Sequence, residues 1–175
     1  MHDAARTANL LGAVALAVTD RALTGATRGA GMSSSAAAAL IVLKTAPGLG
    51  VTELGRRVGL TQSAAARMVD SLEADRLVER RPGAGRVVTV TLTAGGRRVA
   101  RQLLDARGAP LAGVVAALDE DEQAALAQLL GKLLTRLYQE SGDADRLCRL
   151  CDRASCVKGA VCPVGQAERD AREGG

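Results

Sequence analysis

Aromatic and histidine residues are almost absent from this chain. Tyr138 is the only aromatic side chain, and His2 is the only histidine. Proteins that bind single-stranded nucleic acid commonly stack its bases on aromatic rings, so that binding mode is not expected. Catalytic triads and zinc-hydrolase sites need imidazole. With no glycine-rich phosphate loop either, the sequence predicts that the protein is not an enzyme.

The amino-terminal part also lacks a hydrophobic run long enough for a membrane span. Ala8–Val18 is the longest uncharged, mostly apolar stretch near the start, and it has about half the length of a span. The polar run Thr19–Arg21 follows this stretch, and the residues before Ala8 are barely basic. Both features argue against a signal peptide. We therefore expect a cytoplasmic protein without membrane contact, in which thiols stay reduced.

Charge is unevenly distributed along the 175 residues. Residues 51–101 hold ten arginines and five acids, whereas residues 110–145 carry seven acids and two basic residues. This asymmetry favours a polyanionic partner for the middle of the chain, although a solvated helical face would also explain it. The length predicts one domain with a small appendage.

Two short helices joined by a tight turn are predicted in the basic segment. Leu54 and Val58 lie on one face of the first helix, Glu53–Val58, and Gly59 ends it. Thr61 can cap a second helix, Gln62–Asp75. This pattern is typical of a helix-turn-helix. The inward residues of the second helix should be Ala65, Met68, Val69 and Leu72.

A β-hairpin is predicted directly after these helices. Leu77–Arg81 and the β-branched run Arg86–Leu92 flank Pro82–Gly85, a link with one proline and two glycines. The tip of this hairpin would carry Arg80, Arg81 and Arg86. An arginine-tipped hairpin after a helix-turn-helix indicates the wing of a winged helix.

Longer amphipathic helices flank this core. One is predicted over Ala4–Thr24, followed by a loop at Gly25–Gly31, and another from Ala94 to about Gly108, with a bend at Gly108–Pro110. Asp119 begins a last long helix. The broad apolar stripes of the first and last helices favour a homodimer, unless they pack on each other within one chain. The stripe of the last helix contains Leu126, Leu129, Leu130, Leu133, Leu134 and Leu137.

The stretch Val51–Ala100 resembles the MarR family of bacterial transcription regulators. It reads VTELGRRVGLTQSAAARMVDSLEADRLVERRPGAGRVVTVTLTAGGRRVA. The similarity covers roughly residues 5–140 and implies a mainly α winged helix-turn-helix fold with a small β-hairpin wing and amino- and carboxy-terminal dimerisation helices. We expect a domain over residues 1–145, with a DNA-binding core of about residues 33–100.

The resemblance implies a homodimer that binds a pseudo-palindromic site in double-stranded DNA. It also implies an effector cleft, for which the sequence identifies no ligand. Arg86 matches the family's wing arginine, although Ala84 and Gly85 stand where the family often has an aspartate that orients it. The groove-facing start of the recognition helix would contain Gln62, Ser63, Ala64, Ala65 and Arg67.

The side-chain chemistry is compatible with these roles. Arg67 can reach a guanine edge or a phosphate, and an arginine on a thin hairpin tip suits a narrow minor groove. Simpler explanations remain open: Arg67 could pair with Asp70, and Arg80 and Arg81 could be ordinary solvated charges. The fold could also serve as a protein-interaction module that does not bind DNA.

All four cysteines lie in one short segment after the last long helix. Four thiolates select zinc or an iron–sulfur cluster. A metal-free thiol switch is a further alternative, in which neighbouring arginines would lower the thiol pKa values; unrelated free cysteines are the last. We expect a metal-binding or redox-sensing tail over residues 146–165, which could act through the helix end at Tyr138–Leu147, and disorder over residues 166–175. The cysteines are Cys148, Cys151, Cys156 and Cys162.

Overall fold

The computed structural model of the chain describes residues 3–83 and 88–174, without the side chains of residues 22–30. Its first six helices are α1 (Ala4–Ala30), α2 (Ser34–Thr45), α3 (Val51–Val58), α4 (Gln62–Ala74), α5 (Ala94–Val115) and α6 (Glu120–Ser141). The carboxy-terminal helices are α7 (Ala144–Leu147), α8 (Arg153–Cys156) and α9 (Pro163–Glu173). The strands are β1 (Leu49–Gly50), β2 (Val78–Pro82) and β3 (Val88–Leu92). The mainly helical fold class with a small β-hairpin is therefore confirmed.

Helix α2 lies at the centre of the core. Its residues 36–43 are all buried, and the helix contacts α1, α3, α4, α5 and β3. Ser33 caps its first turn by accepting a hydrogen bond from the backbone N–H of Ala36 at 3.2 Å. Because four alanines follow in sequence, the surrounding helices can approach closely without aromatic side chains to fill the space.

The predicted helix-turn-helix is present as α3 and α4. Gly59 ends α3 with φ of 76°, in the left-handed region where glycine is favoured, and the Leu60 N–H donates to the Gly55 carbonyl at 2.9 Å. Thr61 caps α4 as predicted, by accepting from the Ala64 N–H at 3.3 Å. The first helix begins at Val51, two residues earlier than predicted, because Gly50 serves as its N-cap.

The two helices cross at a glycine. A Cβ placed on Gly55 would lie 2.5 Å from the Cβ of Ala65, whose own side chain is fully buried. The prediction that Ala65, Val69 and Leu72 face inward is confirmed, and Met68 is partly buried against the same core.

The wing hairpin forms part of a three-stranded antiparallel sheet in the order β1-β3-β2. The register pairs Arg81 with Thr89, and Val78 with Leu92. Residues 84–87, including the predicted tip residue Arg86, lie outside the described residues. The two-residue strand β1, which pairs Leu49 with Val90, was not predicted because it has no periodicity of its own and depends on β3.

Two predicted helix ends were wrong. Helix α1 continues through the expected loop to Ala30, and α5 continues through Pro110 to Val115. The two helices pack side by side, with Val14 and Val18 facing Pro110 across a small apolar cavity. This tertiary packing outweighs the local preference of glycine and proline for ending a helix.

The expected disorder of residues 166–175 was also wrong, since residues 166–173 belong to α9. Cys162 caps this helix, Pro163 occupies its first turn, and Arg172 pairs with Glu168 at 2.8 Å. Helix α9 packs along α6, and Val164 is only 2% exposed. The burial of Val164 and the packing on α6 stabilise this helix, and neither contact can be predicted from the polar composition of the segment.

Helix α6 has a capping box in which Asp119 and Glu122 satisfy each other's backbone N–H groups, as their spacing suggested. Its leucine stripe is largely exposed in the single chain, with Leu129, Leu130, Leu133, Leu134 and Leu137 each at least 37% accessible. Among the described residues, no helix combines the length and apolarity that crossing a membrane requires.

The crossing of α3 and α4 makes Gly55 sensitive to substitution. We expect Gly55→Ala to lower the free energy of unfolding by about 1–3 kcal/mol, because the added methyl forces the two helices apart. Gly108→Ala is the matched control, since nothing lies within 4 Å of its Cβ position in α5, and it should be neutral or stabilising by about 0.5–1 kcal/mol. Urea unfolding checks both values, and equal midpoints for the two variants would contradict the close crossing.

Candidate nucleic-acid interface and cysteine site

The start of α4 presents a polar, exposed surface. Gln62, Ser63 and Arg67 are exposed and Ala64 is half-buried, as expected for residues that enter a DNA groove. The helix begins at Gln62 with Thr61 as its N-cap, so the N–H groups at its amino terminus point out beside these side chains. Hydroxyl, amide and guanidinium groups with a helix amino terminus form a suitable surface for phosphates and base edges.

Ala65 must be removed from the predicted DNA-contacting set. Its side chain has no exposed surface and lies against Gly55 of α3. The residue faces away from any groove because α4 turns by about 100° per residue and Ala65 lies on its inner side. Its role is to set the distance between the two helices.

Arg67 does not form the ion pair with Asp70 that was an alternative. Asp70 instead accepts a hydrogen bond from Arg80 of β2 at 2.6 Å. Glu73 accepts from both the Arg80 guanidinium and the Arg80 backbone N–H. The hydrogen bond to Asp70 is the main reason that the pKa of Arg80 is raised. Arg80 therefore joins the wing to the recognition helix, and among the described residues Arg67 has no carboxylate partner.

Arg81 has an acidic partner but remains exposed. It pairs with Glu79 at 2.6 Å and keeps 63% of its side chain exposed. Exposed ion pairs of this kind contribute only about 0–1 kcal/mol, so a DNA phosphate can replace Glu79 as the partner. The side chain lies one residue pair from the tip end of the wing strands and remains available for DNA contact there.

Two arginines of α3 are neutralised within the chain. Glu53 accepts hydrogen bonds from Arg56 and Arg57, both at 2.8 Å, and this holds the pKa of Glu53 near 2. Asp145, just before the cysteine segment, accepts from Arg56 at 2.6 Å and lies 3.4 Å from Arg57. The basic excess counted from the sequence therefore overstates the charge available to a polyanion at α3.

The four cysteines gather around one cavity of about 400 Å³. All four are partly buried, and the other side of the cavity is formed by Val42 and Thr45 of α2 and Arg57 of α3. The backbone N–H of Gly165 donates to the Cys162 sulfur at 3.4 Å. The segment thus brings four thiols together against the helix-turn-helix, a placement that spacing alone did not predict.

Burial disfavours the thiolate form of three of these cysteines. Burial, followed by the neighbouring thiols, raises the pKa of Cys156 to about 12 and that of Cys148 to about 11. Burial likewise raises the pKa of Cys151. The expected lowering by arginines is present but outweighed by burial: Arg153 lowers the pKa of Cys148 and Arg107 that of Cys151, and burial raises both pKa values by more.

The donor set suits a thiophilic metal, since four sulfur atoms line one cavity beside a backbone N–H that donates to one of them. Within residues 3–83 and 88–174, however, no three His, Cys, Asp or Glu side chains already have the mutual positions of metal ligands. Binding an ion would require the thiols to lose their protons and move together.

Comparisons with known proteins agree with this architecture. The profile of the MarR family matches residues 30–87, which contain the helix-turn-helix and most of the wing. A search of curated proteins finds no match to the chain.

Solved structures extend the likeness to the flanking helices. The YusO protein of Bacillus subtilis is 25% identical, with a TM-score of 0.65, over 75% of this chain and 97% of that one. A MarR family protein of Bacillus stearothermophilus is 25% identical, with a TM-score of 0.68, over 76% and 94% of the two chains.

A third structure contains nucleic acid. It is a MarR family protein of Mycobacterium tuberculosis in complex with DNA, 28% identical with a TM-score of 0.58, and the likeness covers 72% of this chain and 95% of that one. The cysteine segment lies beyond the residues that the family profile matches. The family profile on its core and the shared architecture around it make the chain similar to the MarR family of transcription regulators.

Proposed function

We propose that two copies of this chain bind a pseudo-palindromic site in double-stranded DNA and so regulate transcription from it. The observation that carries this proposal is the exposed start of α4, where Gln62, Ser63 and Arg67 stand together. The arginine has no carboxylate partner among the described residues, so its charge is available. The DNA complex of a similar MarR family protein supports the same assignment.

The dimer would form through the long terminal helices. Within the described part of the chain, α6 packs mainly on α9, and most of its leucine stripe is left exposed. Helix α1 likewise exposes Leu10, Leu11 and Val14. Burying these side chains against a second copy is favourable by about 25 cal/mol for each Å² removed from water. A two-fold dimer would present two recognition helices about one DNA turn apart.

The cysteine segment is proposed to hold a structural zinc ion through Cys148, Cys151, Cys156 and Cys162. Zinc needs only the ligands, and a closed site of four thiolates would stabilise a segment with little core of its own. An iron–sulfur cluster on the same residues is the alternative, and it would make the protein a redox sensor. As a transcription regulator, the protein would work in the cytoplasm.

A winged-helix module that binds only proteins is the competing function. It would show no salt-dependent affinity for duplex DNA, whereas a DNA-binding dimer with about 6–10 phosphate contacts should lose affinity steeply as salt rises. The affinity of the wild-type protein for duplex DNA over a salt series distinguishes the two.

Arg67 should be required for DNA recognition. We expect Arg67→Ala to weaken binding about tenfold or more, because a guanidinium contact to a guanine edge or phosphate is lost. The DNA should be chosen by selecting bound duplexes from a random pool, and affinity measured by fluorescence anisotropy. Arg172→Ala removes the same charge from α9 and should bind like the wild type. Equal affinity of Arg67→Ala and wild type would count against this placement of the recognition helix.

The exposed leucines of α6 should hold the dimer together. Replacing Leu130 and Leu134 with glutamate places charges one helical turn apart in the proposed interface. We expect a monomer by light scattering and loss of DNA affinity. Gln128→Glu adds a charge outside the leucine stripe and should remain dimeric; a dimeric Leu130→Glu, Leu134→Glu protein would place the interface elsewhere.

Protein purified without oxygen should be colourless and contain one zinc ion per chain, because four thiolates satisfy the ion completely. Elemental analysis with a visible spectrum provides the measurement. Cys151→Ser and Cys156→Ser should each lower the zinc content. A brown protein with visible absorption would replace zinc with an iron–sulfur cluster, and metal-free protein with four free thiols would reject both.

A further inference from the structure

The cysteine segment, residues 146–165, carries two arginines next to the turn of the helix-turn-helix. The Arg146 guanidinium lies over Gly59, with its Cζ and Nε atoms 3.7 Å from the position of a Cβ there. Gly59 is exposed and lies two residues before Thr61, the N-cap of the recognition helix. A charged group from the appended segment therefore stands beside the element that would enter the DNA groove.

Arg149 lies on the same side of the segment. Its guanidinium donates to the backbone carbonyl of Arg146. Both arginines line a cavity of about 160 Å³, together with Ser34 and Ser35 at the start of α2. Arginine and serine side chains both carry donors that suit the oxygen atoms of a phosphate group.

Among the residues that the structure describes, no acid compensates the charges of these two arginines. In the described ranges, the acids of the neighbouring elements pair elsewhere: Glu53 and Asp145 hold Arg56 and Arg57. No carboxylate of the described residues lies within ion-pair distance of Arg146 or Arg149. This contrasts with Arg80 and Arg81, which both have acidic partners.

The segment is also anchored, so the two arginines are held in place. Asp145 binds Arg56 of α3 at 2.6 Å, and Leu150 packs against the hydrophobic core. Anchoring on both sides of Arg146 and Arg149 reduces the conformational entropy that these side chains would lose on binding an anion.

We infer that Arg146 and Arg149 of the cysteine segment contact the DNA backbone, at a phosphate that flanks the groove entered by α4. This inference rests on the proposed function, because the phosphate belongs to the DNA that the recognition helix binds. It adds a contact from residues outside the span that the family profile matches. Backbone contacts position a protein on the duplex and carry no sequence information.

The cysteines lie next to these two arginines, so the state of the thiols would affect DNA binding. Cys148 lies between the two arginines in sequence, and Cys151 lies two residues after Arg149. A change in what the thiols bind would therefore act on DNA contacts through Arg146 and Arg149 themselves.

The test uses the full-length protein with its selected DNA and measures affinity over a salt series. We expect the double variant Arg146→Ala, Arg149→Ala to bind about tenfold or more weakly at about 100 mM salt. The slope of log affinity against log salt should shrink by up to about 3.6, which is 0.9 for each of four contacts in a dimer. Sequence preference should not change, and Arg146→Lys, Arg149→Lys should restore most of the slope.

Lys158→Ala is the matched control, because it removes a positive charge from an exposed position of the same segment that lines neither the cysteine cavity nor the cavity at Arg146 and Arg149. Unfolding midpoints and metal content should be equal in all variants that are compared. An unchanged salt slope in the double variant, with DNA binding still weakened in Arg67→Ala, overturns this inference and leaves the proposed function standing. Absence of DNA binding by the wild type overturns both.

Discussion

The close approach of α3 and α4 at Gly55 and Ala65 is the constraint on which the remaining architecture depends. At this crossing one residue has no side chain and the other has a single methyl that is completely buried. The short separation lets the turn at Gly59 close and brings α4 to the surface with its first residues free. A larger residue at either position would move the recognition helix relative to the sheet and wing.

Ion pairing within the chain then selects which arginines remain available. Arg56 and Arg57 are held by Glu53 and Asp145, and Arg80 is held by the acids of α4. These pairs connect α3 to the carboxy-terminal segment and the wing to the recognition helix. An arginine that pairs with a carboxylate of the chain is less available to a DNA phosphate. The internal pairs therefore leave the available positive charge near the start of α4 and in the cysteine segment.

The carboxy-terminal segment is integrated with the DNA-binding core and is not a free tail. Val164 is buried, Leu150 joins the core, and the four thiols face α2 and α3 across one cavity. Small segments that lack aromatic residues have little apolar surface to bury, so they need a partner surface or a metal ion to fold. Here the partner surface is provided by α2, α3 and α6.

Much of the local structure was readable from the residue pattern alone. The caps at Thr61 and Asp119, the glycine stop at Gly59 and the β-branched second strand of the wing depend on neighbours within a few positions. The pattern also identified the inward face of α4 and the clustering of cysteines. Such features follow from chain geometry and local hydrogen bonding, which each short stretch carries with it.

Longer-range features required the folded chain. Arg56 and Asp145 are separated by 89 positions, and nothing in the residue pattern pairs them. Packing on α1 carries α5 through Pro110, packing on α6 orders α9, and pairing with β3 creates β1. Each of these outcomes depends on contacts between distant segments, whose energies outweigh local propensity once the core has formed.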